Sequence, residues 1–305
     1  MFDDDNFNTS PTAPPEETTP ESDAVPAAGL NPPSSALVAA DLRISSYWIH
    51  FSVFVVFAFG SLIILQSIVA TYLAEHRHLG LRGVEKAMTT EAPIAVTVQL
   101  AWFGLILLFL YMTLGALPGN PFWRTVGWRR FEPGSGSTSS RALRYFFAGS
   151  GLALFVGLAG SRINPKEHLP IQELFKDRNG LLLLMSLAVL VAPLVEETLF
   201  RGYLYPLLAR TASALAQLFG MEFRNATRFG VVTSILMTGT LFGLLHGWQL
   251  GWTWGLVGLL TMVGIIFTYV RARTGTVLAS YLLHLGYNSM IAISTIAAMH
   301  GLKQI

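Results

Sequence analysis

Residues 181–202 read LLLLMSLAVLVAPLVEETLFRG, and the reading of this stretch decides the fold. From Leu181 to Val195 no side chain is charged; Glu196, Glu197 and Arg201 then follow before the apolar run resumes at Tyr203–Leu208. The whole apolar block, 180–208, is long enough to cross a hydrocarbon layer at about 1.5 Å per residue. Pro193 lacks a donor and should start or kink a helix just ahead of the charged cluster, so two helical pieces can hide in this block.

Six further apolar blocks flank it, at roughly 47–74, 94–117, 143–160, 229–247, 252–270 and 276–299. None shows the sustained alternation of a membrane strand. The expectation is an all-α polytopic membrane helix bundle with seven or eight transmembrane helices. Composition agrees. Of 305 residues 52% are hydrophobic and 12% charged, with a mean hydropathy of +0.51, whereas a soluble domain carries about a quarter charged residues. There is no cysteine, which excludes disulfide frameworks, thiolate nucleophiles, Cys-ligated zinc and iron–sulfur clusters.

Three regions are expected. Residues 1–41 hold eight acidic residues and no Lys or Arg, with seven prolines between Pro11 and Pro33; such a tail cannot bury enough surface to order itself and reads as disordered. Residues 42–160 carry the N-terminal transmembrane helices, and 161–305 form a core holding the chemistry. From residue 42 onward there are 20 basic and 10 acidic residues, which fits contact with membrane lipids and not with nucleic acid, because apolar blocks separate the basic residues. With the N-terminus inside, the inner segments, counted with Arg144 at the edge of its block, collect 11 basic residues against 8 outside, favouring a cytoplasmic tail on an integral, multi-pass protein of the plasma or inner membrane if the source is prokaryotic. The Gly243–Gly247 and Gly251–Gly255 spacings suggest close helix approach. Trp248, Trp252 and Trp254 suggest an interfacial girdle beside His246.

The informative residues are the polar ones inside the apolar blocks. A charge at membrane depth costs several kcal/mol unless paired. Glu197 and Arg201 stand four apart, so a helix lets them pair. Glu196 points about 100° away and lacks that cation. This separates a structural carboxylate from an available one. His246 closes the block 229–247, four residues after Phe242. His284 and Asn288, four apart, share one side of the last helix. By contrast His50, His76, His78, His168 and His300 lie at helix ends or in loops and need no special role.

Hydrolysis needs a water, a base and donors for an oxyanion. Glu196 with His246 can orient and deprotonate a water; His284 and Asn288 can donate to a tetrahedral oxyanion; Glu197 and Arg201 can brace the turn. No Gly-x-Ser-x-Gly elbow and no His-Glu-x-x-His motif is present. His246, His284 and Glu196 also make a His₂Glu set of the kind that holds catalytic zinc, so a zinc-bound water stays open beside the preferred reading, which requires no cofactor. Two other classes compete: a non-catalytic membrane scaffold, and a proton- or ion-coupled transporter. A transporter should distribute broken helices over two related halves, whereas these polar groups occupy only the second half.

The three clusters together resemble a family. Glu196, Glu197 and Arg201 fit its Glu-Glu-x-x-x-Arg motif, Phe242 and His246 its Phe-x-x-x-His, and His284 and Asn288 its His-x-x-x-Asn, in the same order. The chain is thus similar over about 180–300 to the CAAX protease and bacteriocin-processing (Abi) family, the type II CAAX prenyl endopeptidase Rce1-like group of intramembrane proteases. The resemblance implies an endopeptidase acting on a peptide or protein substrate that enters from the bilayer or its surface and is lipidated in the eukaryotic members; since bacterial members are linked to bacteriocin self-immunity, it also gives the scaffold alternative the form of a bacteriocin self-immunity protein. It casts Glu196 with His246 as the water-activating pair, His284 and Asn288 as oxyanion contributors, and Glu197 and Arg201 as support. The acidic tail has no counterpart in those motifs.

Overall fold

The computed structural model describes residues 48–131, 137–163, 174 and 178–298. The acidic tail, the run Pro133–Gly136 and most of the 161–179 connection therefore lie outside the described residues. Among the described residues there is no strand; nine helices follow one another. They are α1 (Trp48–His76), α2 (Leu81–Thr90), α3 (Ala92–Ala116), α4 (Phe122–Thr125), α5 (Thr138–Gly160), α6 (Arg178–Leu218), α7 (Phe223–Leu245), α8 (Trp254–Thr274) and α9 (Val277–Ala298). Seven of them are long and apolar enough to cross a membrane: all but the short α2 and α4. This is the lower of the two expected numbers.

Pro193 does not split its block, and the reason lies in the backbone. Helix α6 runs unbroken for 41 residues but is widened twice into π turns, at Leu187–Val191 and Thr198–Leu204. Each π turn ends one residue before an X-Pro pair, Ala192-Pro193 and Tyr205-Pro206, where α geometry restarts. A proline inside an α-helix clashes with the carbonyl four residues earlier and cannot bond to it. The wider π turn removes that clash and lets the helix continue. The six α residues Ala192–Glu197 between the two turns carry both glutamates.

The helices facing the outside are apolar along their free side. On α1, Ile49, Val53, Val56, Phe59 and Ile63 are exposed while Phe54 and Ala58 are buried, the distribution of a helix whose outer solvent is lipid. Helix α2, which the sequence left as connection, is instead amphipathic. It buries Val84 and Ala87 against Leu73 of α1, and an Arg77–Glu91 ion pair of 2.7 Å links the segments on either side of it.

Small residues set the helix contacts. Gly149 of α5 and Gly286 of α9 face each other so closely that a Cβ on Gly149 would meet the Leu283 carbonyl, and one on Gly286 the Phe146 carbonyl. The Ser150 hydroxyl adds a hydrogen bond of 3.2 Å to the Gly286 carbonyl. Between α7 and α8 the close pair is Gly239 and Gly243 against Gly264 and Thr261: a Cβ on Gly264 would lie 2.8 Å from the Gly239 carbonyl oxygen. The Gly243–Gly247 expectation is corrected here. Helix α7 ends at Leu245, so Gly247 has no helical face to share and packs on the Trp252 ring instead. Of the Gly251–Gly255 pair, Gly251 is a turn residue at φ +55° and Gly255 meets Ile163. Trp248, Trp252 and Trp254 are exposed, as a girdle requires.

Gly286→Leu should force α5 and α9 apart and lower stability by about 3 kcal/mol, the upper range for overpacking. Gly151→Leu, a position with nothing within 4 Å of its added Cβ, should leave stability unchanged. Thermal unfolding of the two purified variants in detergent measures this contrast.

Candidate active site

The site begins with a buried charge pair. Arg201 Nη1 donates to Glu197 Oε1 at 2.9 Å, and both side chains are fully buried. The remaining nitrogens of the guanidinium are taken up by α8: Nη2 donates to the Gly264 carbonyl at 2.9 Å and Nε to Thr268 Oγ1 at 3.2 Å. Thr268 can accept because its own hydrogen goes to the Gly264 carbonyl at 2.8 Å. The Phe242 ring lies 4.7 Å from the Arg201 carbon, and Phe267 lies 5.3 Å away. Such dry aromatic faces contribute up to about 2 kcal/mol to a cation's stability. The pair expected from the four-residue spacing is therefore present, with partners on a second helix that the sequence did not disclose. A threonine four residues after a glycine in the run Gly264–Thr268 was the available signal.

Glu197 Oε1 also receives His284 Nδ1 from α9 at 3.0 Å. A carboxylate only accepts, so Nδ1 of His284 carries the hydrogen. The same logic fixes His246, whose Nδ1 lies 2.7 Å from the Phe242 carbonyl oxygen and must donate to it. Both imidazoles are thereby oriented by their Nδ1 atoms, and both present Nε2 to Glu196. His246 Nε2 lies 4.0 Å from Glu196 Oε1, and His284 Nε2 lies 3.9 Å from Oε2. Glu196 is about one-sixth exposed and His246 about one-fifth, while His284 is buried. The structure thus brings Glu196, His246 and His284 together from α6, the end of α7, and α9.

Phe242 is the plate between them. Its ring packs edge-on against Phe200 at 5.3 Å and against His284 at 5.9 Å, and lies 4.6 Å from the His246 ring. One residue therefore aims His246 through its carbonyl and shields Arg201 with its ring.

Asn288 sits one turn beyond His284 and has a different tie: its Nδ2 donates to the Ala188 carbonyl at 2.8 Å. In the first π turn the Ala192 N–H bonds five residues back, to the Leu187 carbonyl. Ala188 should receive the next such bond, from residue 193, which is proline and has no N–H. Asn288 fills that gap. One of its two N–H donors is committed to the backbone, and the other is left for a ligand.

The donor set also bears on zinc. Ligands on one tetrahedral zinc with bonds near 2.0 Å stand about 3.3 Å apart. The separations of 4.0 and 3.9 Å around Glu196 are wider, and among the described residues no group of three or more His, Asp or Glu side chains meets metal-site spacing.

Residues 178–290 match the family model described as type II CAAX prenyl endopeptidase Rce1-like. That span is less than half of the chain, starts with α6 and ends within α9, and contains all three motifs read from the sequence. No curated protein and no solved structure matches the chain.

Removing Arg201 leaves Glu197 charged and buried, a loss of about 3–5 kcal/mol. Arg201→Met should sharply reduce folded yield and thermal stability in detergent. Arg201→Lys should not restore them, since an ammonium cannot span Glu197, Gly264 and Thr268 in one plane.

Proposed function

We propose that this chain is an integral-membrane endopeptidase of the CAAX-protease type, hydrolysing a peptide bond of a membrane-associated substrate with a water activated by Glu196. The match of 178–290 to that family supports the class of activity. The observation that carries the mechanism is the pair of 4.0 and 3.9 Å separations between the Glu196 oxygens and the two Nε2 atoms. They are too long for direct hydrogen bonds and suit a bridging water.

A water between Glu196 Oε1 and His246 finds two acceptors, because Nδ1 of His246 already carries the ring hydrogen and Nε2 offers a lone pair. One water hydrogen points to Glu196 and the other to His246, which aims an oxygen lone pair outward at the scissile carbonyl carbon. As the oxygen attacks, Glu196 accepts the proton and the carbonyl oxygen becomes an oxyanion. His284 in its doubly protonated form donates from Nε2 to that oxyanion, and its charge is balanced by Glu197 at Nδ1. The second N–H of Asn288 is the further donor. Collapse breaks the C–N bond, and Glu196 returns its proton to the leaving nitrogen. No step passes through a metal.

Glu197 and Arg201 take no part in the proton transfers; they fix His284 and the backbone beneath Glu196. The family's description names a prenyl substrate, and a prenylated CAAX-type C-terminus is accordingly the first substrate to try with this chain. Entry from the bilayer or its surface follows from placing the reacting groups among membrane-spanning helices.

The test uses full-length protein in liposomes and a quenched peptide ending in a farnesylated CAAX sequence. Glu196→Gln should keep the wild-type unfolding temperature and lose cleavage by about 10²–10⁴-fold, the contribution of a positioned base. Wild-type cleavage should survive excess phenanthroline. A folded Glu196→Gln variant with full activity would remove the mechanism, and loss of activity on chelation would return the His₂Glu zinc reading.

A further inference from the structure

His50 lies on α1, well outside the residues that match the family, and as a helix-end histidine it asked for no role. The structure gives it two partners on two other helices, a buried Tyr203 and a half-buried Thr113. Its Nδ1 is 2.8 Å from the Tyr203 hydroxyl, on the second π turn of α6, and its Nε2 is 2.9 Å from Thr113 Oγ1 on α3. The directions follow from Thr113. That hydroxyl donates to the Phe109 carbonyl at 2.8 Å, so its oxygen accepts from His50 and the ring hydrogen sits on Nε2. Nδ1 of the neutral ring then accepts, and Tyr203 donates. The result is one directed chain, Tyr203 to His50 to Thr113 to Phe109, with every hydrogen used. Tyr203 is completely buried, with the Phe54 ring edge-on at 5.4 Å.

The same π turn is held at two more points from the N-terminal half. Trp128 Nε1 donates to Thr198 Oγ1 at 3.0 Å, and the Thr198 hydroxyl passes its own hydrogen to the Leu194 carbonyl at 2.7 Å. Gly202 lies so close to the loop after α4 that a Cβ there would stand 2.7 Å from the Val126 carbonyl oxygen. The turn Thr198–Leu204 is thus clamped at its first residue, near its middle and near its end, each time by a residue between 50 and 128.

A π turn holds one residue more than the α turn it replaces, and left alone a helix favours α geometry. Losing the surplus would rotate the two parts of α6 by about 100° relative to each other. Glu196 stands two residues before the turn, and the C-terminal part of α6 is locked to α7 by the 2.7 Å bond from Ser234 to the Tyr205 carbonyl. The glutamate side is tied to α9 by His284 and Asn288, so a relaxing turn would strain those bonds and shift Glu196 between them. We propose that His50 is a positioning residue for Glu196: its bond to Tyr203 keeps the π turn open in the phase that aims Glu196 at His246 and His284. The catalytic meaning of that phase rests on the peptidase reading above; the phase itself does not.

Two readouts keep these apart. The full chain in liposomes is assayed with the farnesylated quenched peptide, and, because the chain has no cysteine, Glu196→Cys supplies a single thiol whose reaction rate with a soluble maleimide reports where position 196 points. His50→Leu and Tyr203→Phe should each lower kcat roughly tenfold to a hundredfold with KM within about twofold, as for a misplaced reacting group. The double variant should be no worse than the poorer single one, since both cut the same bond. His50→Gln, which keeps a donor and an acceptor, should recover part of the rate. The labelling rate at position 196 should change at least about fivefold when His50→Leu or Tyr203→Phe is added. Wild-type kcat and labelling in a folded Tyr203→Phe variant, or additive losses in the double variant, overturn the proposal. If the wild type does not cleave the peptide, the peptidase reading fails, and the labelling arm still decides the role of His50.

Discussion

A guanidinium and a carboxylate fully removed from water govern the centre of this protein. Neither Glu197 nor Arg201 is tolerable alone among membrane helices, so the two are paired and bonded further by groups of α8 and α9. The four-residue spacing supplies the first bond, and α8 supplies a carbonyl and a hydroxyl for the rest of the fork. Helix α9 supplies His284 to the same carboxylate oxygen. Three helices are thus registered on one ion pair. Glu196, its immediate neighbour, is turned away from that pair and left facing two imidazole nitrogens. The difference between two adjacent glutamates is purely one of helical phase.

The backbone of α6 serves the same end. Two prolines in a membrane helix would ordinarily leave carbonyls without donors and bend the rod. Here each is preceded by a π turn, and the orphaned carbonyl of Ala188 is bonded by Asn288 from α9. The glutamates ride on the short α segment between the two widened turns. A residue that the motif suggested only for chemistry therefore also completes a backbone hydrogen bond, and it joins α9 to α6 close to the site.

Much of this was legible in the residues. Seven apolar stretches became seven spanning helices because length and apolarity alone fix that outcome in hydrocarbon. The Glu197–Arg201 pair followed from periodicity, and the meeting of Glu196, His246 and His284 from the poverty of other polar groups in the same blocks. What could not be read depends on contacts between distant segments. A π turn has no local composition distinct from an α turn; only the prolines after Ala192 and Tyr205 hinted at it. His50 looked idle because its partners lie 63 and 153 residues away. The glycines at 243 and 247 were paired by spacing, but the helix stops between them, and Gly239 was the true companion of Gly243.

At 41 residues α6 is about 60 Å long, twice the roughly 30 Å of a hydrocarbon layer. Its apolar block, 180–208, is shorter, about 43 Å, and a strong tilt fits that to the layer, so it is the remainder from Arg210 onward that projects past the lipid chains. Glu196 stands near its midpoint, where Val195, Glu197, Thr198 and Phe200 are buried by the other helices. Bilayer thickness then becomes a mechanical variable for this protein: a thicker membrane draws more of the rod into its apolar slab and shifts the depth at which the carboxylate meets water.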